Sequence, residues 1–460
     1  MSPVPARGSA AILGPMRPTY PEVELALLSR WPETRLEPSL DRIRALCDLM
    51  GDPQDAQPVI QLTGTNGKTS TSRMIDALLR ALDLRTGRFT SPHLQRINER
   101  ICLDGDPVTD DQFVDAYADV AVYADLVDAQ QPHRLSFFEV LVAMGYAAFS
   151  DAPVDVAVVE VGMGGTWDAT SVASPAVSVV TPIGVDHARY LGTTPAEVAV
   201  EKAGIVKPGS RAVFAAQSDE VLEVLMACAI DAGAPVVLEG RDFGLESRVA
   251  AVGGQQFTIQ GVKGRYEDLL LPLHGAFQAR NAALAVAAVE VFTGAAELDP
   301  DLVRAGLGSV TSPGRLEVVR RSPAVVLDAA HNPHGARALV ESITEEFSFS
   351  PLIAVVGVMA DKAVEDILSE LEPVVAHLVC TQNSTERSMP AHELGEVATD
   401  LYGADRVSVV PRLDDALERA ILLADAAEGH DDAIGSGGVL VTGSVVTVGE
   451  ARTLLGGTGA

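Results

Sequence analysis

The sequence predicts an α/β protein of mostly parallel sheets in two domains, and three observations carry the prediction. β-Branched apolar runs alternate with Ala-, Leu- and Glu-rich stretches along most of the chain. One run, VIQLT at 59–63, passes through a glycine-containing turn into a helical stretch beginning near Lys68. A Gly/Ser-rich segment near residue 312 separates two such series. A chain of 460 residues has room for two or three domains at roughly 100–200 residues each.

Residues 1–20 contain four prolines and no hydrophobic period, so they read as a loose arm. Strands are then expected at 59–63, 154–161, 176–183 and 211–216, and later at 324–330, 352–359, 377–382, 406–411 and 438–444. Near-continuous apolar runs separated by helices indicate parallel sheets covered on both faces. In such sheets ligands gather beyond the carboxyl ends of the strands. Residues 243–275 differ: apolar and polar residues alternate between glycine turns, as in an antiparallel hairpin set. An alanine-rich helix follows, and GLGSVTSPGR (306–315) is the expected linker, which puts the domains at 1–311 and 312–460.

Composition narrows the partners. With 34 basic and 63 acidic residues the net charge is −29, which repels phosphodiester backbones and anionic lipid. Nucleic acid and membrane are therefore not expected partners. The four cysteines, Cys47, Cys102, Cys228 and Cys380, have no metal-type or redox-type spacing and suit a reducing cytosol. The start of the chain lacks a secretory apolar core, and the small-apolar run at 282–289 stops well short of the roughly 18 residues a membrane span needs. A soluble, cytoplasmic monomer is the expectation.

QLTGTNGKTST (61–71) is a phosphate-loop candidate. Backbone N–H groups and a helix N-terminus attract phosphate, Lys68 adds a mobile cation, and Thr69 or Ser70 offers a hydroxyl to Mg²⁺. The full Walker pattern wants glycine where Leu62 stands, and here the first glycine is Gly64. The alternative is an ordinary strand–turn–helix corner. Gly64, Thr65, Asn66, Gly67, Lys68, Thr69 and Ser70 are accordingly the candidate nucleotide loop. Glu160, in the otherwise apolar VAVVEVG, requires a metal, a basic partner or a buried salt bridge, because an unpaired buried carboxylate is costly. VEVGMGG is not a dinucleotide fingerprint, since Trp167 occupies the place of its last glycine.

GTNGKT resembles the loop of the Mur ligase superfamily, ATP-dependent enzymes that join an amino acid to a carboxylate. SPHLQRINERI, SFFE, VEVGMGGTWDAT, DHARYLG, EKAGIVKPG, HGAFQARNAALA, SPGRLE, LDAAHNPHG and VTGSVVTVGE follow in the order of its folate branch, dihydrofolate synthase/folylpolyglutamate synthase. The resemblance covers about residues 35–450. It implies a Mur-ligase-type central ATPase domain containing the phosphate loop, followed by a smaller Rossmann-like α/β domain. The implied reaction is activation of a pterin-linked carboxylate by ATP as an acyl phosphate, which the amine of L-glutamate then displaces. Dihydropteroate and reduced folates are the implied acceptors. A monofunctional folylpolyglutamate synthase, another Mur-type ligase and a nucleotide-operated switch are the alternatives. The 63 residues before Gly64 are too few for a nucleotide-sugar-binding domain, which argues against a peptidoglycan ligase.

The resemblance also implies site residues. Ser91, Glu160 and His187 match magnesium ligands, although imidazole is not magnesium's usual oxygen donor and a histidine there could be merely hydrogen-bonded. Lys202 matches a lysine carried as its N-carboxy derivative, which would hold a second Mg²⁺; from spacing alone it is an exposed helical lysine. A monovalent cation is a further candidate. Asn281, Arg315 and Asp328 match contacts to the adenine edge, phosphates and ribose. Lys68, Lys202 and His331 are the catalytic candidates; the alternative for His331 is a helix cap. His331 and Ser444 are candidates for seating glutamate. Ser136, Phe137, Phe138, Glu139, Trp167, Asp168 and Ala169 would form the pterin pocket. The family commonly has an arginine before Asp-Ala-Thr-Asn, where this chain has Thr166-Trp167-Asp168-Ala169-Thr170-Ser171. That departure touches pterin contacts rather than the reaction. The implied site draws on both domains, so closure on binding is expected.

Overall fold

The computed structural model describes residues 17–32, 38–294, 297–427 and 436–456. Most of the arm expected at 1–20 thus lies outside the described residues. Its end is tied down, with Arg17 paired to Asp111 and Asp115, and Tyr20 opening the first helix.

The first eight strands are β1 (Val59–Thr63), β2 (Thr86–Phe89), β3 (Ile101–Leu103), β4 (Asp106–Pro107), β5 (Val156–Glu160), β6 (Val177–Val180), β7 (Arg211–Phe214) and β8 (Val236–Leu238). They form one sheet in the order β4-β3-β2-β5-β1-β6-β7-β8. Pairing is parallel from β2 to β8 and antiparallel at the β3–β4 edge. β1 and β5 are buried along their whole length, as strands covered on both faces must be. One face carries a core of Ile60, Leu62, Val158 and Val179 under the helix Ala276–Thr293, where the run AALAVAAV is buried. The other face is covered by Asp110–Gln130 and Phe137–Asp151, around Phe89, Phe113 and Phe149. Among the described residues no helix is long and apolar enough to cross a membrane.

The alternating stretch forms a three-stranded antiparallel sheet, β9 (Gly244–Ala251), β10 (Gly254–Gln260) and β11 (Arg265–Leu271). A third sheet contains β12 (Glu317–Arg321), β13 (Ala324–Leu327), β14 (Phe349–Val356), β15 (His377–Cys380), β16 (Val407–Val409) and β17 (Ser436–Thr442), ordered β12-β13-β17-β14-β15-β16. It is parallel except for β12 at one edge.

The linker expectation needs a correction. The helix Pro300–Gly308 takes in Gly306, and a Cβ added there would sit 3.1 Å from the Leu78 Cα. That glycine permits close packing of two helices rather than a flexible joint.

Register aligns the ends that matter. Leu62 pairs with both Glu160 and Val179, so the segments leaving β1, β5 and β6 emerge at one edge of the large sheet. Leu327 and Val355 both pair with Val441, which brings the segments after β13, β14 and β17 to one edge of the third sheet. These two carboxyl edges are joined across a cleft. Asn66 exchanges hydrogen bonds with Asn332 at 3.1 and 3.3 Å, and Lys362 Nζ lies 2.6 Å from Asp186 Oδ1.

Candidate active site

The loop after β1 requires both of its glycines. Gly64 has φ 145° and a Cβ there would lie 1.9 Å from Thr181 Oγ1; Gly67 has φ 87° and its Cβ would lie 2.8 Å from Asn281 Oδ1. Only glycine meets both demands of backbone and space. Thr65 Oγ1 donates to the Gly184 carbonyl at 2.8 Å, fixing the loop against the segment after β6. Lys68 Nζ donates to the Gly64 carbonyl at 3.1 Å, and the helix Lys68–Ala81 starts at this residue. Asn281 therefore presses on the turn, while Gln278, one turn earlier in the same helix, donates to Ser70 Oγ at 3.1 Å. Ser70 and Ser312 hydroxyls are 3.1 Å apart.

At the end of β5, Thr69 Oγ1 donates to both oxygens of Glu160, at 3.0 and 3.1 Å. Glu160 is 1% exposed. Burial pushes its carboxyl up, and Lys68, Thr69, Arg315 and the Ser91 N–H offset only part of that. Ser91 Oγ is buried without a hydrogen-bond partner among the described residues. A desolvated carboxylate beside an orphaned hydroxyl fits a hard cation, which prefers oxygen donors. Among the described residues no three His, Cys, Asp or Glu side chains gather into a metal cage. Magnesium characteristically needs no such cage, since it takes one or two protein oxygens and fills the rest from phosphates and water.

Lys202 is not an exposed helical lysine. It is 4% exposed, and its Nζ donates to the Gly64 carbonyl at 2.8 Å. Burial, with the nearby Lys68 charge, lowers its ammonium to about 7. A large fraction is thus free amine at neutral pH, the form that attacks CO₂.

After β6, His187 adopts φ 52°. Burial, assisted by Lys362, His331 and Lys68, lowers its imidazole to about 4, so it is neutral and has a lone pair to offer. Asp186 beside it joins the domains. Its carboxylate meets Lys362 Nζ at 2.6 Å, His331 Nε2 at 3.4 Å and Asn332 Nδ2 at 3.4 Å. Burial alone would push Asp186 up, but the His331 hydrogen bond and the His187, Lys362 and His331 charges hold it well below the usual carboxylate range. His331 sits in the loop after β13, and its Nδ1–H donates to the Ala329 carbonyl at 2.9 Å. That bond leaves Nε2 facing the cleft. The helix cap is Asn332, not His331.

Asp328 accepts from Leu316 N at 3.0 Å and Ala330 N at 2.9 Å; burial pushes it up, against the Arg315 charge. Arg315 donates to the Gly314 carbonyl at 3.3 Å. Ser444 caps the helix Val445–Leu454 by accepting from Val446 N at 3.2 Å.

The residues expected around a pterin divide. Phe138 lies against Phe89, ring centroids 6.0 Å apart, and a Cβ at Gly162 would be 2.6 Å from its ring. Trp167 packs on Gly164, in the same loop after β5. Asp168 accepts from Met163 N and from the Thr170 N–H and hydroxyl, shaping that loop. Ala169 and Phe137 are buried. Ser136 and Glu139 form a capping box, and Glu139 is paired with Arg42 at 3.0 Å. Sequence reading missed Asp186, Asn332 and Lys362. The first two neighbour residues it singled out, and Lys362 follows β14 at the same carboxyl edge, which is the signal that could have found it.

Comparison with known proteins adds the family. Residues 62–289 match the Mur ligase middle domain and residues 314–445 the Mur ligase glutamate ligase domain. The chain is 49% identical over 455 residues to the dihydrofolate synthase/folylpolyglutamate synthase of Mycobacterium tuberculosis, covering 95% of this chain and 93% of that one. The structure of Mycobacterium tuberculosis folylpolyglutamate synthase complexed with ADP superposes with a TM-score of 0.92, covering 95% and 98% of the two chains at 49% identity. Escherichia coli FolC in complex with DHPP and ADP superposes at 0.83 with 27% identity, covering 95% and 99%.

Proposed function

Because the chain belongs to the Mur ligase family, in its dihydrofolate synthase/folylpolyglutamate synthase branch, we propose that its cleft uses ATP to activate a folate carboxylate and joins it to glutamate. It is an ATP-dependent ligase of L-glutamate onto folates, with dihydropteroate and tetrahydrofolate, or its polyglutamates, as the acceptors. The observation that carries the assignment is the meeting of phosphate loop and second domain: Asn66 on Asn332, and Asp186 on Lys362 and His331.

In this reading Lys68, the loop amides and Arg315 bind the phosphates, Asn281 meets the adenine edge and Asp328 the ribose. Ser91 and Glu160 would hold one Mg²⁺, and His187 with carbamylated Lys202 a second. Bound there, the ions would neutralise charge that develops on the phosphates, which dominates phosphoryl transfer. The pterin would lie at the loop after β5, against Phe138 and Trp167. Asp168 holds that loop in shape, and Ser136 and Glu139 fix the helix that presents Phe138. The glutamate ammonium must lose a proton before its nitrogen attacks. His331, with Nδ1–H committed to a carbonyl, would accept it at an unprotonated Nε2, where Asp186 at 3.4 Å would stabilise the resulting imidazolium. Ser444 would help seat glutamate through the helix it caps. We place the domain boundary at Ser312, and closure of the two domains excludes water from a hydrolysable acyl phosphate. A cytoplasmic monomer acting on small molecules fits the charge of −29.

Phosphate release from ATP with L-glutamate tests the reading. Release with both dihydropteroate and tetrahydrofolate is expected. Release with one alone makes the enzyme monofunctional, and release with neither overturns the assignment.

A further inference from the structure

A second ionic cluster joins the domains away from the cleft, at the far end of the helix Pro333–Glu346. Glu346 accepts from Arg248 Nη2, from His274 Nδ1 at 2.8 Å and from the Gly275 N–H at 2.9 Å. Arg248 also meets Glu345 at 2.6 Å. The side chains are 2% exposed at Glu346 and 9% at Arg248. Every donor to Glu346 comes from the other domain: Arg248 from β9, and His274–Gly275 from the approach to the helix Ala276–Thr293.

A glutamate in the last turn of a helix faces the negative end of its dipole. Two in succession, Glu345 and Glu346, therefore weaken this helix, and among the described residues the groups that compensate them come from the other domain. Both helices that meet here also reach the phosphate loop, Pro333–Glu346 with its opposite end and Ala276–Thr293 with its first two turns. Pro333–Glu346 begins at Asn332, bonded to Asn66; Ala276–Thr293 carries Gln278 and Asn281 against Ser70 and Gly67.

We propose that Glu346, gripped by Arg248, His274 and the Gly275 N–H, is a positioning residue that holds the two domains in the nucleotide-binding arrangement. The proposal rests on the ligase reading given above. The cluster touches no reacting atom and acts on the population of the arrangement that binds nucleotide. Burial would raise the Glu346 carboxyl, but His274, Gly275 and Arg248 together hold it below its ordinary value, so it is charged at neutral pH. Losing either charge removes the most buried ion pair across the boundary among the described residues and leaves the remaining partner less fully compensated, which favours separation. When only a fraction of molecules is competent to bind, apparent affinity falls by that fraction while the saturated rate survives.

The test is ADP affinity by calorimetry, beside KM for ATP and kcat, in Glu346→Gln, Arg248→Met and the double variant. Expected is a loss of about tenfold in ADP affinity, an equal rise in KM for ATP, and kcat within about threefold of wild type. The double variant should fall short of the product of the single effects. Unchanged ADP affinity and KM, whatever happens to Tm, would overturn the proposal, as would a fall in kcat alone. If Glu346→Gln does not fold, Arg248→Lys, which shortens the reach and keeps the charge, is judged on the same quantities. Wild-type protein that binds ADP but releases no phosphate with folate acceptors would instead remove the ligase reading and leave the affinity test standing.

Discussion

At the scale of single residues, the site is built from groups whose environments contradict their usual chemistry. Glu160 is pushed up by burial, so folding favours its protonated form. Its contribution to stability is present at acid pH and lost as pH rises through the folded-state value. At pH 8 the unliganded protein carries a buried carboxylate at a cost. Glu160→Gln should therefore unfold at a higher Tm than wild type at pH 8, while turnover falls by at least about 100-fold. A Tm difference that does not shrink toward pH 4 would contradict the argument.

Lys202 gives the complementary case. Its ammonium is lowered to about 7, so the free amine dominates above that pH and the cation below it. Protein stripped of CO₂ at pH 6 should lose activity and regain it with bicarbonate at pH 8. Lys202→Ala should be inactive yet partly rescued by formate or acetate, and a variant that folds but shows no rescue counts against carbamylation. The burial of Glu160 was legible in the apolar VAVVEVG around it, whereas VEKAGI reads equally well as a solvent-facing helix and hides that of Lys202. Lys202 was singled out by resemblance; its burial against the Gly64 carbonyl is tertiary.

Elements were legible where one physical signal dominated. The apolar runs at 59–63 and 324–327 are strands because both faces of a parallel sheet are buried. β2, with the sequence TGRF, was missed because it contains glycine and arginine. There a Cβ at Gly87 would collide with Phe149, and Arg88 is buried beside Cys102. β3, β4 and β8 are two or three residues long and give no period to read. The strand–turn–helix corner at residues 59–81 was readable from its pattern, and its two glycines are required on two counts. Gly64→Ala should abolish ADP binding in calorimetry, since a methyl group would overlap Thr181 Oγ1 and the backbone sits at φ 145°. Wild-type affinity in that variant would show that the turn relaxes at no cost.

For the whole molecule, two carboxyl sheet edges from different domains form one site, and sequence spacing cannot encode that meeting. Asp186, Asn332 and Lys362 are 146 and 176 residues apart across it, so only the fold reveals them as one cluster. The last helix also crosses the boundary: a Cβ at Gly449 would lie 1.9 Å from the Leu94 carbonyl, in the loop that carries Ser91. Gly449→Ala should displace that helix and increase the radius of gyration in solution scattering. It should lower kcat/KM by roughly tenfold, about 1.4 kcal/mol of transition-state stabilisation. An unchanged profile and rate would mean that the contact is incidental.

In the proposed reaction the cleft forms an acyl phosphate on the folate carboxylate before glutamate attacks. The direct measurement is isotopic: an acceptor labelled with ¹⁸O in the reacting carboxylate, ATP and L-glutamate are turned over, and the released phosphate is analysed by mass. Transfer of one ¹⁸O to phosphate is predicted. Unlabelled phosphate, with the displaced ¹⁸O found in water instead, would rule that route out.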